Sequence, residues 1–437
     1  MNVIAIFDAG RTNKKLFLFD EQYKIVWERS YTFAETKDED GEACEDLEKL
    51  THWITEALDE LKAIGDIRIR AINFSAYGAS LVHIGEGGTP VTPLYNYLKP
   101  YPEELKQRLY FKYGGEAAFS MLTASPVLGS LNSGMQLYRL KEEQPELFAR
   151  IRTSLHLPQY LSWLLTKVAC SDITSIGCHT HLWNFSSDRY HEWVYEEGII
   201  DKLAPLHPST DVLPVKAFPG WFAGIGLHDS SAAMIPYLDS FREPFVLIST
   251  GTWCISMNPF NSTPLTATEL QQDCLCYMSY EGRPVKASRL FAGRIHEERV
   301  KRLAGHFDKS MDYYTTVRFD PHLVLFLRSD EGCMRKELND FSSYEQGYHR
   351  LLMDIMEQQV ASTGLVLEGT ATKKIFVDGG FGRNEVYMHL LAGAFPGIGV
   401  FAASIPQASA IGAALAIHGH WNSGPPPGDL IELKYYK

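Results

Sequence analysis

Residues 3–20 read VIAIFDAGRTNKKLFLFD and decide the fold, because two apolar runs flank a polar turn that contains glycine. VIAIF and LFLFD are rich in the β-branched and aromatic side chains of strands, so the segment predicts an antiparallel pair. After the short turn EQYK, residues 25–30 predict a third strand of the same meander. A helical pattern over residues 47–61 and a strand over residues 69–74 complete a mixed α/β opening.

The same plan returns in the second half of the chain. Residues 245–258 read FVLISTGTWCISMN, which again predicts a strand, a small polar turn and a strand. Helical patterns over residues 344–367 and 385–395 flank KKIFVDGG, a buried strand that ends in paired glycines. We therefore expect a duplicated α/β domain, with one copy over residues 1–235 and the other over residues 236–437.

The composition of the chain says more about its possible partners than about its fold. The 437 residues suffice for two or three domains, and 53 Asp and Glu against 41 Lys and Arg give a formal charge of −12. This charge repels long polyanions, so we expect no nucleic-acid partner, whereas a small anion such as ATP is compatible with it. The first residues lack the features of a signal peptide, and Pro396 and Pro406 interrupt the uncharged residues 390–417. We expect a cytoplasmic protein without a membrane span.

The turn in the first strand pair has the composition of a phosphate-binding loop. Thr12 and Asn13 offer small polar side chains beside exposed backbone N–H groups, and Lys15 adds a cation. Asp8 ends the first strand, where a single carboxylate suits a hydrated Mg²⁺ ion. An ordinary hairpin turn is the alternative, because Asp, Gly, Thr and Asn all favour turns.

Two further loops have a similar design. Gly251 permits close approach to the backbone and Thr252 offers a hydroxyl, directly after a predicted strand. Gly379, Gly380 and Asn384 lie between a strand and a helix, where glycines let a nucleotide contact the backbone. The chain contains no G-x-x-x-x-G-K-[ST] sequence, which excludes a P-loop, and it lacks the third glycine of a dinucleotide fingerprint.

Asp229 lies at the expected junction of the two halves, in the sequence HDSS of residues 228–231. A carboxylate at such a junction can meet substrates held by both domains, and the alternative is a simple helix cap. A cluster of Cys and His raises a zinc alternative, although its spacing fits no standard zinc pattern. That cluster comprises Cys170, Cys178, His179, His181 and His191, of which His179 and His181 would share one face of a strand.

Taken in order, these segments resemble the FGGY family of carbohydrate kinases, within the superfamily of actin, sugar kinases and Hsp70. The resemblance extends along the whole chain through FDAGRTNKKLFLFD, GIGLHDSSAA, VLISTGTW, KKIFVDGGFGRNEVYMHLLAGAF and IPQASAIGAALA. Within the family, LNSGMQLYRLKEEQPELF, LPQYLSWLLTK and SDITSIGCHTHLWNFSSDRYHEW are most similar to the deoxyketose kinases for rhamnulose and fuculose.

The resemblance implies two RNase-H-like domains of the actin-like ATPase type that close a central cleft on ATP, Mg²⁺ and a sugar. It implies an ATP-dependent kinase acting on a hydroxyl of a small ketose such as L-fuculose or L-rhamnulose. Asp229 would be the general base and Asp8 would organise the Mg²⁺. The nucleotide would be bound by Thr12, Asn13, Lys15, Gly251, Thr252, Gly379, Gly380 and Asn384.

The chain also departs from the family pattern. Arg11 stands where the family has a small residue, and Gln407 stands where it often has Glu. The sugar-binding Asp expected after an aromatic-Gly pair is absent from residues 77–80, which read YGAS. We therefore expect a modified sugar pocket, for which the candidate residues are Ser80, Asn96, Tyr97, Lys99, His179 and Asp229.

Two other functions stay open at this point. A sugar-responsive regulator that keeps the nucleotide-binding fold without catalysis is compatible with the altered sugar-pocket positions. An actin-like ATPase without a sugar acceptor would hydrolyse ATP whether or not a sugar is present. Retention of Asp8 and Asp229 favours the kinase, because a protein freed from catalysis has no chemical need for both. We expect a monomer or a homodimer.

Overall fold

The computed structural model describes residues 1–334 and 337–437, and its first sheet is built on the predicted meander. Strand β1 (Asn2–Ala9) pairs antiparallel with β2 (Lys14–Asp20), which pairs antiparallel with β3 (Ile25–Tyr31). The apolar run of β1 is buried, as expected of a central strand covered on both faces. The other strands of this half are β4 (Thr36–Lys37), β5 (Ala43–Cys44), β6 (Arg68–Ala76), β7 (Leu81–Ile84), β8 (Thr153–His156), β9 (Ser171–Asp172), β10 (Trp183–Asn184), β11 (Arg189–Tyr190), β12 (Leu206–His207), β13 (Val212–Pro214), β14 (Phe222–Gly224) and β15 (Leu227–His228).

Strand β6 lies beside β1 and runs parallel to it. The order of the first sheet is β13-β14-β6-β1-β2-β3, and β15 also pairs with β6, at its carboxyl end. Asp8 on β1 is opposite Ser75 on β6, and His228 on β15 is opposite Ala76. Strands β1, β6 and β15 therefore deliver their last residues to one edge of the sheet.

The second sheet repeats this plan. Strand β16 (Phe245–Thr250) pairs antiparallel with β17 (Cys254–Asn258) and parallel with β20 (Lys374–Gly379), as β1 does with β2 and β6. Its other strands are β18 (Cys274–Met278), β19 (Pro284–Leu290), β21 (Gly399–Ser404) and β22 (Glu432–Tyr436). The strand order is β18-β19-β17-β16-β20-β21-β22. The duplicated layout explains why two similar polar turns occur in the sequence.

Helices cover the sheets and form most of the insertions between strands. The first, α1 (Leu47–Ala63), begins where the Asp46 side chain accepts a hydrogen bond from the Lys49 N–H, and it buries an apolar stripe against the first sheet. The helices that follow in the first half are α2 (Glu103–Lys112), α3 (Glu116–Leu122), α4 (Ser133–Glu143), α5 (Pro145–Arg150), α6 (Leu157–Thr166), α7 (Ile173–Ile176) and α8 (Glu192–Glu196).

The remaining helices run from the junction to the end of the chain. They are α9 (Asp229–Ser240), α10 (Ala267–Gln271), α11 (Ala292–His306), α12 (Pro321–Arg328), α13 (Asp330–Cys333), α14 (Tyr344–Leu367), α15 (Glu385–Ala394), α16 (Ala408–Ala416) and α17 (His418–Trp421). Single 3-10 turns lie at Glu86–Gly88, Gly129–Leu131, Ile200–Lys202, Tyr313–Thr316, Leu338–Asp340 and Phe381–Arg383.

Helices α9 and α16 join the two halves. They cross so closely that a Cβ atom on Gly412 would lie 1.8 Å from the carbonyl oxygen of Ala232. Helix α16 also contacts the first sheet, where the Asn73 side-chain amide donates to the carbonyl of Ala413 over 2.8 Å. The apolar side chains of both helices belong to one buried cluster that includes residues of both sheets. The crossing therefore fixes the sheet edge of the first half against the second.

The fold class predicted from the sequence, a mixed α/β protein with two sheets of one plan, is confirmed. The strands of the first sheet end at His228 and those of the second begin at Phe245. The boundary between residues 235 and 236 falls inside α9 and stays a prediction. In the described parts of the chain, no helix has the length and apolar character needed to cross a membrane, and residues 390–417 divide among two helices and a strand.

Candidate active site

Two carboxylates, one near the start and one near the end of the first predicted domain (residues 1–235), approach one another at the edge of the first sheet. Asp8 lies near the end of β1, where Ser409 of α16 donates a hydrogen bond to its Oδ2 over 3.0 Å. Asp229 is the first residue of α9, directly after β15. The helix cap is His228, so the alternative in which Asp229 merely caps α9 is wrong.

Burial changes the acidity of both carboxylates. Burial, and secondly the negative charge of Asp229, raise the pKa of Asp8 to about 6. Burial also raises the pKa of Asp229 to about 6, against hydrogen bonds from Ser230 that favour its charged form. The Asp229 side chain still keeps 35% of its surface accessible, so a small molecule can reach it. This combination is typical of a functional carboxylate in a cleft.

The first polar turn leaves its side chains available. Thr12 and Asn13 are exposed at its tip, with the Asn13 Oδ1 accepting a hydrogen bond from Thr32 over 3.3 Å. The Lys15 ammonium donates to the side-chain oxygen of Gln407 over 3.3 Å. This contact ties the first turn to the residue before α16, so the departure at Gln407 gives Lys15 a neutral partner in place of a charged one.

The two glycine-containing loops of the second half lie against each other. Thr250, the last residue of β16, accepts at its carbonyl from the Gly380 N–H and at its hydroxyl from the Phe381 N–H. Gly379 has a positive φ of 91°, and a Cβ atom there would lie 2.0 Å from the Thr250 carbonyl oxygen, so only glycine fits. The turn that carries Gly251 and Thr252 is exposed beside this junction.

Asn384 has a structural role in addition to its place near these loops. It caps α15 by accepting the Tyr387 N–H, and its amide donates to the Tyr348 hydroxyl over 2.6 Å. The side chain therefore has a protein partner at each end. A contact between Asn384 and a nucleotide stays a prediction.

Part of the predicted sugar pocket forms a polar cluster around Arg11. The Arg11 guanidinium donates to Asn96 Oδ1 over 2.8 Å, forms an ion pair with Glu35 over 2.8 Å and lies over the Tyr97 ring. Lys99 is not part of this cluster, because it forms ion pairs with Asp38 and Asp40. Ser80 and His179 are buried, and the His179 ring contacts Tyr277 of the second half.

A buried histidine stands between Asp229 and the second half. The His228 ring stacks on Tyr277 of β18 with 6.0 Å between centroids, and its Nε2 lies 3.3 Å from Asp229 Oδ1. Burial lowers the pKa of His228 to about 4, so the ring is neutral at pH 7. A Cβ atom on Gly78 would lie 2.8 Å from this ring, which explains the glycine there. Tyr277 also contacts the His179 ring.

The strand predicted for His179 and His181 is wrong. Both residues have positive φ angles, 41° and 63°, and lie in a loop where they do not share a strand face. His181 contacts the Tyr110 hydroxyl and His191 caps α8, so these rings have separate structural partners. Within residues 1–334 and 337–437, no group of three or more His, Cys, Asp or Glu side chains is placed to hold a metal ion.

Comparison with known families agrees with this geometry. Residues 3–214 match the model of the N-terminal domain of the FGGY family of carbohydrate kinases, and residues 242–319 match a model of its C-terminal domain. The chain belongs to the FGGY family of carbohydrate kinases. The polar turns and Asp229 thus lie in an FGGY framework, with Asp229 in the segment between the two matched regions.

Relatives of known structure share this fold over nearly the whole chain. A carbohydrate kinase from Novosphingobium aromaticivorans superposes with a TM-score of 0.80 at 24% identity, covering 99% of this chain and 93% of that one. A ligand-bound xylulose kinase from Lactobacillus acidophilus superposes with a TM-score of 0.81 at 16% identity, covering 100% of this chain and 94% of that one.

A rhamnulokinase from Mannheimia succiniciproducens is similar in sequence. It is 24% identical over 283 residues, which are 60% of this chain and 55% of that relative. The match thus spans little more than half the length of this curated relative.

The FGGY site includes residues that the sequence did not reveal. Ser409 reaches Asp8 from a position 401 residues away in the chain, and Tyr277 reaches His228 from the other half. No local pattern signals such contacts. The sequence places His228 next to Asp229. It does not predict that the His228 ring is buried against Gly78 of the YGAS segment.

The raised pKa of Asp229 predicts a pH dependence. If Asp229 serves as a general base, it must be ionised, so activity falls as the pH drops through the pKa of its carboxylate. We expect kcat/KM for the sugar to fall about tenfold per pH unit below about pH 6, instead of below the ordinary aspartate range near 4. Initial rates between pH 4.5 and 8 with saturating ATP test this, and an acid limb centred near 4 would contradict it.

Proposed function

We propose that the protein is an ATP-dependent kinase that phosphorylates a hydroxyl of a small ketose. The observation that carries the proposal is the meeting of Asp8 and Asp229 at one sheet edge, where the charge of Asp229 contributes to the raised pKa of Asp8. Phosphoryl transfer has a loose transition state that needs positioning, charge neutralisation and one base. These residues supply each of those requirements.

Asp229 acts as the general base. The Ser230 N–H and hydroxyl both donate to its Oδ1, over 2.6 and 3.2 Å, which leaves Oδ2 for the hydroxyl of the sugar. With a pKa of about 6, the carboxylate is ionised at pH 7 and close enough to neutrality to accept a proton in the transition state. The buried His228 ring covers one side of the carboxylate. Because the ring is neutral, it forms no ion pair that would weaken Asp229 as a base.

Asp8 is the residue suited to Mg²⁺. Burial and the neighbouring negative charge of Asp229 make its ionised form costly, and a divalent cation bound there would relieve both effects. A single carboxylate with a hydroxyl beside it, from Ser409, fits an ion that keeps most of its water ligands. When bound, Mg²⁺ would neutralise charge on the phosphates of ATP.

The nucleotide is held by the turns. Thr12, Asn13 and Lys15 approach the phosphates from the first half, and Gly251 with Thr252 approaches them from the second. Exposed backbone N–H groups and one lysine suffice for this, which reconciles an anionic ligand with an acidic protein. Gly379 and Gly380 leave room for the adenosine against the loop of Thr250. Asn384 completes that side.

The sugar is a ketose, with L-rhamnulose and L-fuculose as the first candidates. The rhamnulokinase relative supports the deoxyketose class. The Arg11, Asn96 and Tyr97 cluster gives hydrogen-bond donors and an aromatic face at the candidate pocket. Ser80, Lys99 and His179 complete the set of proposed sugar contacts.

A coupled assay of ADP formation tests this function. The panel contains ketoses, aldoses and polyols, each with ATP·Mg²⁺ and with ATP alone. We expect ADP release that depends on both sugar and Mg²⁺ and is fastest with a deoxyketose. Folded protein that binds ATP and sugar but releases no ADP with any panel member would instead be a regulator. ADP release at one rate with and without sugar would indicate an ATPase.

A further inference from the structure

A buried carboxylate outside the site described above is connected to it by hydrogen bonds. Asp172 has no exposed surface, and its Oδ1 accepts from the Thr174 N–H over 2.9 Å and from the Thr174 hydroxyl. Its Oδ2 accepts from the Ser209 hydroxyl. Among the described residues no ion pair with Asp172 is found, so hydrogen bonds from Thr174, Ser209 and the Ser175 backbone stabilise its charge. Such a buried carboxylate is costly to keep unless it has a specific role.

The network has a fixed direction. A threonine hydroxyl has one hydrogen, and in Thr174 that hydrogen is committed to Asp172. The oxygen of the same hydroxyl can therefore only accept a second hydrogen bond. It accepts this bond from the backbone N–H of His228 over 3.0 Å. Asp172 thus orients the hydroxyl that binds the residue directly before Asp229.

Strand β15 contains two residues, and among the strands that the structure describes it pairs with β6 alone. The Thr174 hydroxyl therefore accepts from the His228 N–H on the side where a further strand would otherwise pair. The backbone before it is equally constrained, because Gly226 donates to Asn73 and accepts at its carbonyl from Gln159. Hydrogen bonds to side chains therefore add to the pairing of β15 with β6 in holding the segment that delivers Asp229.

We propose that Asp172 and Thr174 are positioning residues that set the place of Asp229 through the backbone N–H of His228. The inference rests on the proposed function, in which Asp229 is the base. Both side chains are fully buried, so they act on Asp229 through the backbone and not through contact with a substrate. Loss of the Thr174 hydroxyl leaves the His228 N–H unpaired and lets the start of α9 shift. A displacement of about 1 Å at a catalytic group costs about 10²-fold in rate.

Substitutions of Thr174 test the proposal. Thr174→Val keeps the size and branching of the side chain and removes the hydroxyl, whereas Thr174→Ser keeps the hydroxyl. We expect Thr174→Val to lower kcat about 10²-fold with KM for ATP changed less than about twofold. Thr174→Ser should keep kcat within about threefold of the original protein. Equal kcat values for Val, Ser and Thr at this position would overturn the proposal, even if the Val variant melts earlier.

A second measurement separates this inference from the proposed function. Hydrogen exchange of the peptide that contains His228 reports the positioning hydrogen bond whether or not a substrate is known. We expect about tenfold faster exchange there in Thr174→Val and in Asp172→Asn, whose amide can donate to the Thr174 oxygen and displace the His228 N–H. Unchanged exchange in both variants overturns the positioning role. Faster exchange together with an absence of turnover in the original protein refutes the kinase assignment and keeps the structural link.

Discussion

Replacement of Asp229 by Asn lowers kcat about 10²–10⁴-fold, the usual contribution of one general base. The amide has the same shape as the carboxylate, and the Ser230 N–H can still donate to its oxygen, so the start of α9 keeps its geometry. We expect ATP affinity to stay within about twofold, because no nucleotide contact is assigned to this side chain. Steady-state rates with the best ketose and calorimetric titration with an ATP analogue measure the two effects.

The matched control is Asp239→Asn, in the last turn of the same helix. It removes the same charge from α9 far from the sheet edge, so kcat should stay within about twofold. A large loss in both variants would mean that the charge of the helix matters more than the base. Full activity of the Asp229 variant would show that Asp229 is not the general base, and it would favour the regulator or the ATPase alternative.

Replacement of Gly412 by Ala destabilises the protein by about 3 kcal/mol, the upper end of the usual cost of overpacking. The added Cβ atom would lie 1.8 Å from the carbonyl oxygen of Ala232, a backbone atom that moves only if α9 and α16 separate. Helix α16 carries Ser409, and α9 begins with Asp229, so the separation disturbs both carboxylates of the site. We expect lower activity together with a lower midpoint of urea denaturation.

Gly393→Ala is the control for this substitution. Gly393 lies in helix α15 with no atom within 4 Å of the position of a new Cβ, so the change removes only the conformational cost of glycine. We expect a gain in stability of up to about 1 kcal/mol. If the Gly412 variant is as stable as the Gly393 variant, the helix crossing is looser than the structure indicates.

Local patterns in the sequence predicted the elements that carry the site. The hairpin of residues 3–20, its counterpart at residues 245–258 and the helix at Tyr344–Leu367 are confirmed, because each is specified by the spacing of its own apolar residues. Repetition of the hairpin also predicted the duplicated sheets. The place of Asp8 at a strand end followed from the same local reading.

Contacts between distant segments were beyond the reach of those patterns. The sequence gives no signal that Ser409 meets Asp8, that Tyr277 meets His228 or that Thr174 binds the backbone before Asp229. Each depends on how sheets, helices and insertions pack, which the spacing of residues along the chain does not encode. The error at His179 has the same cause, because the distant Asn132 amide donates to the carbonyl of His179, whose backbone is left-handed.

The most direct test of the account is to identify the product of the reaction. Wild-type protein and Asp229→Asn are each incubated with ATP·Mg²⁺ and the best ketose of the panel, and phosphorus and carbon NMR follow the phosphate. We expect a single sugar phosphate, esterified at one terminal hydroxyl, from the wild-type protein and at least about 10²-fold less of it from the variant. Inorganic phosphate as the product, or sugar phosphate formed equally fast by both proteins, would contradict it.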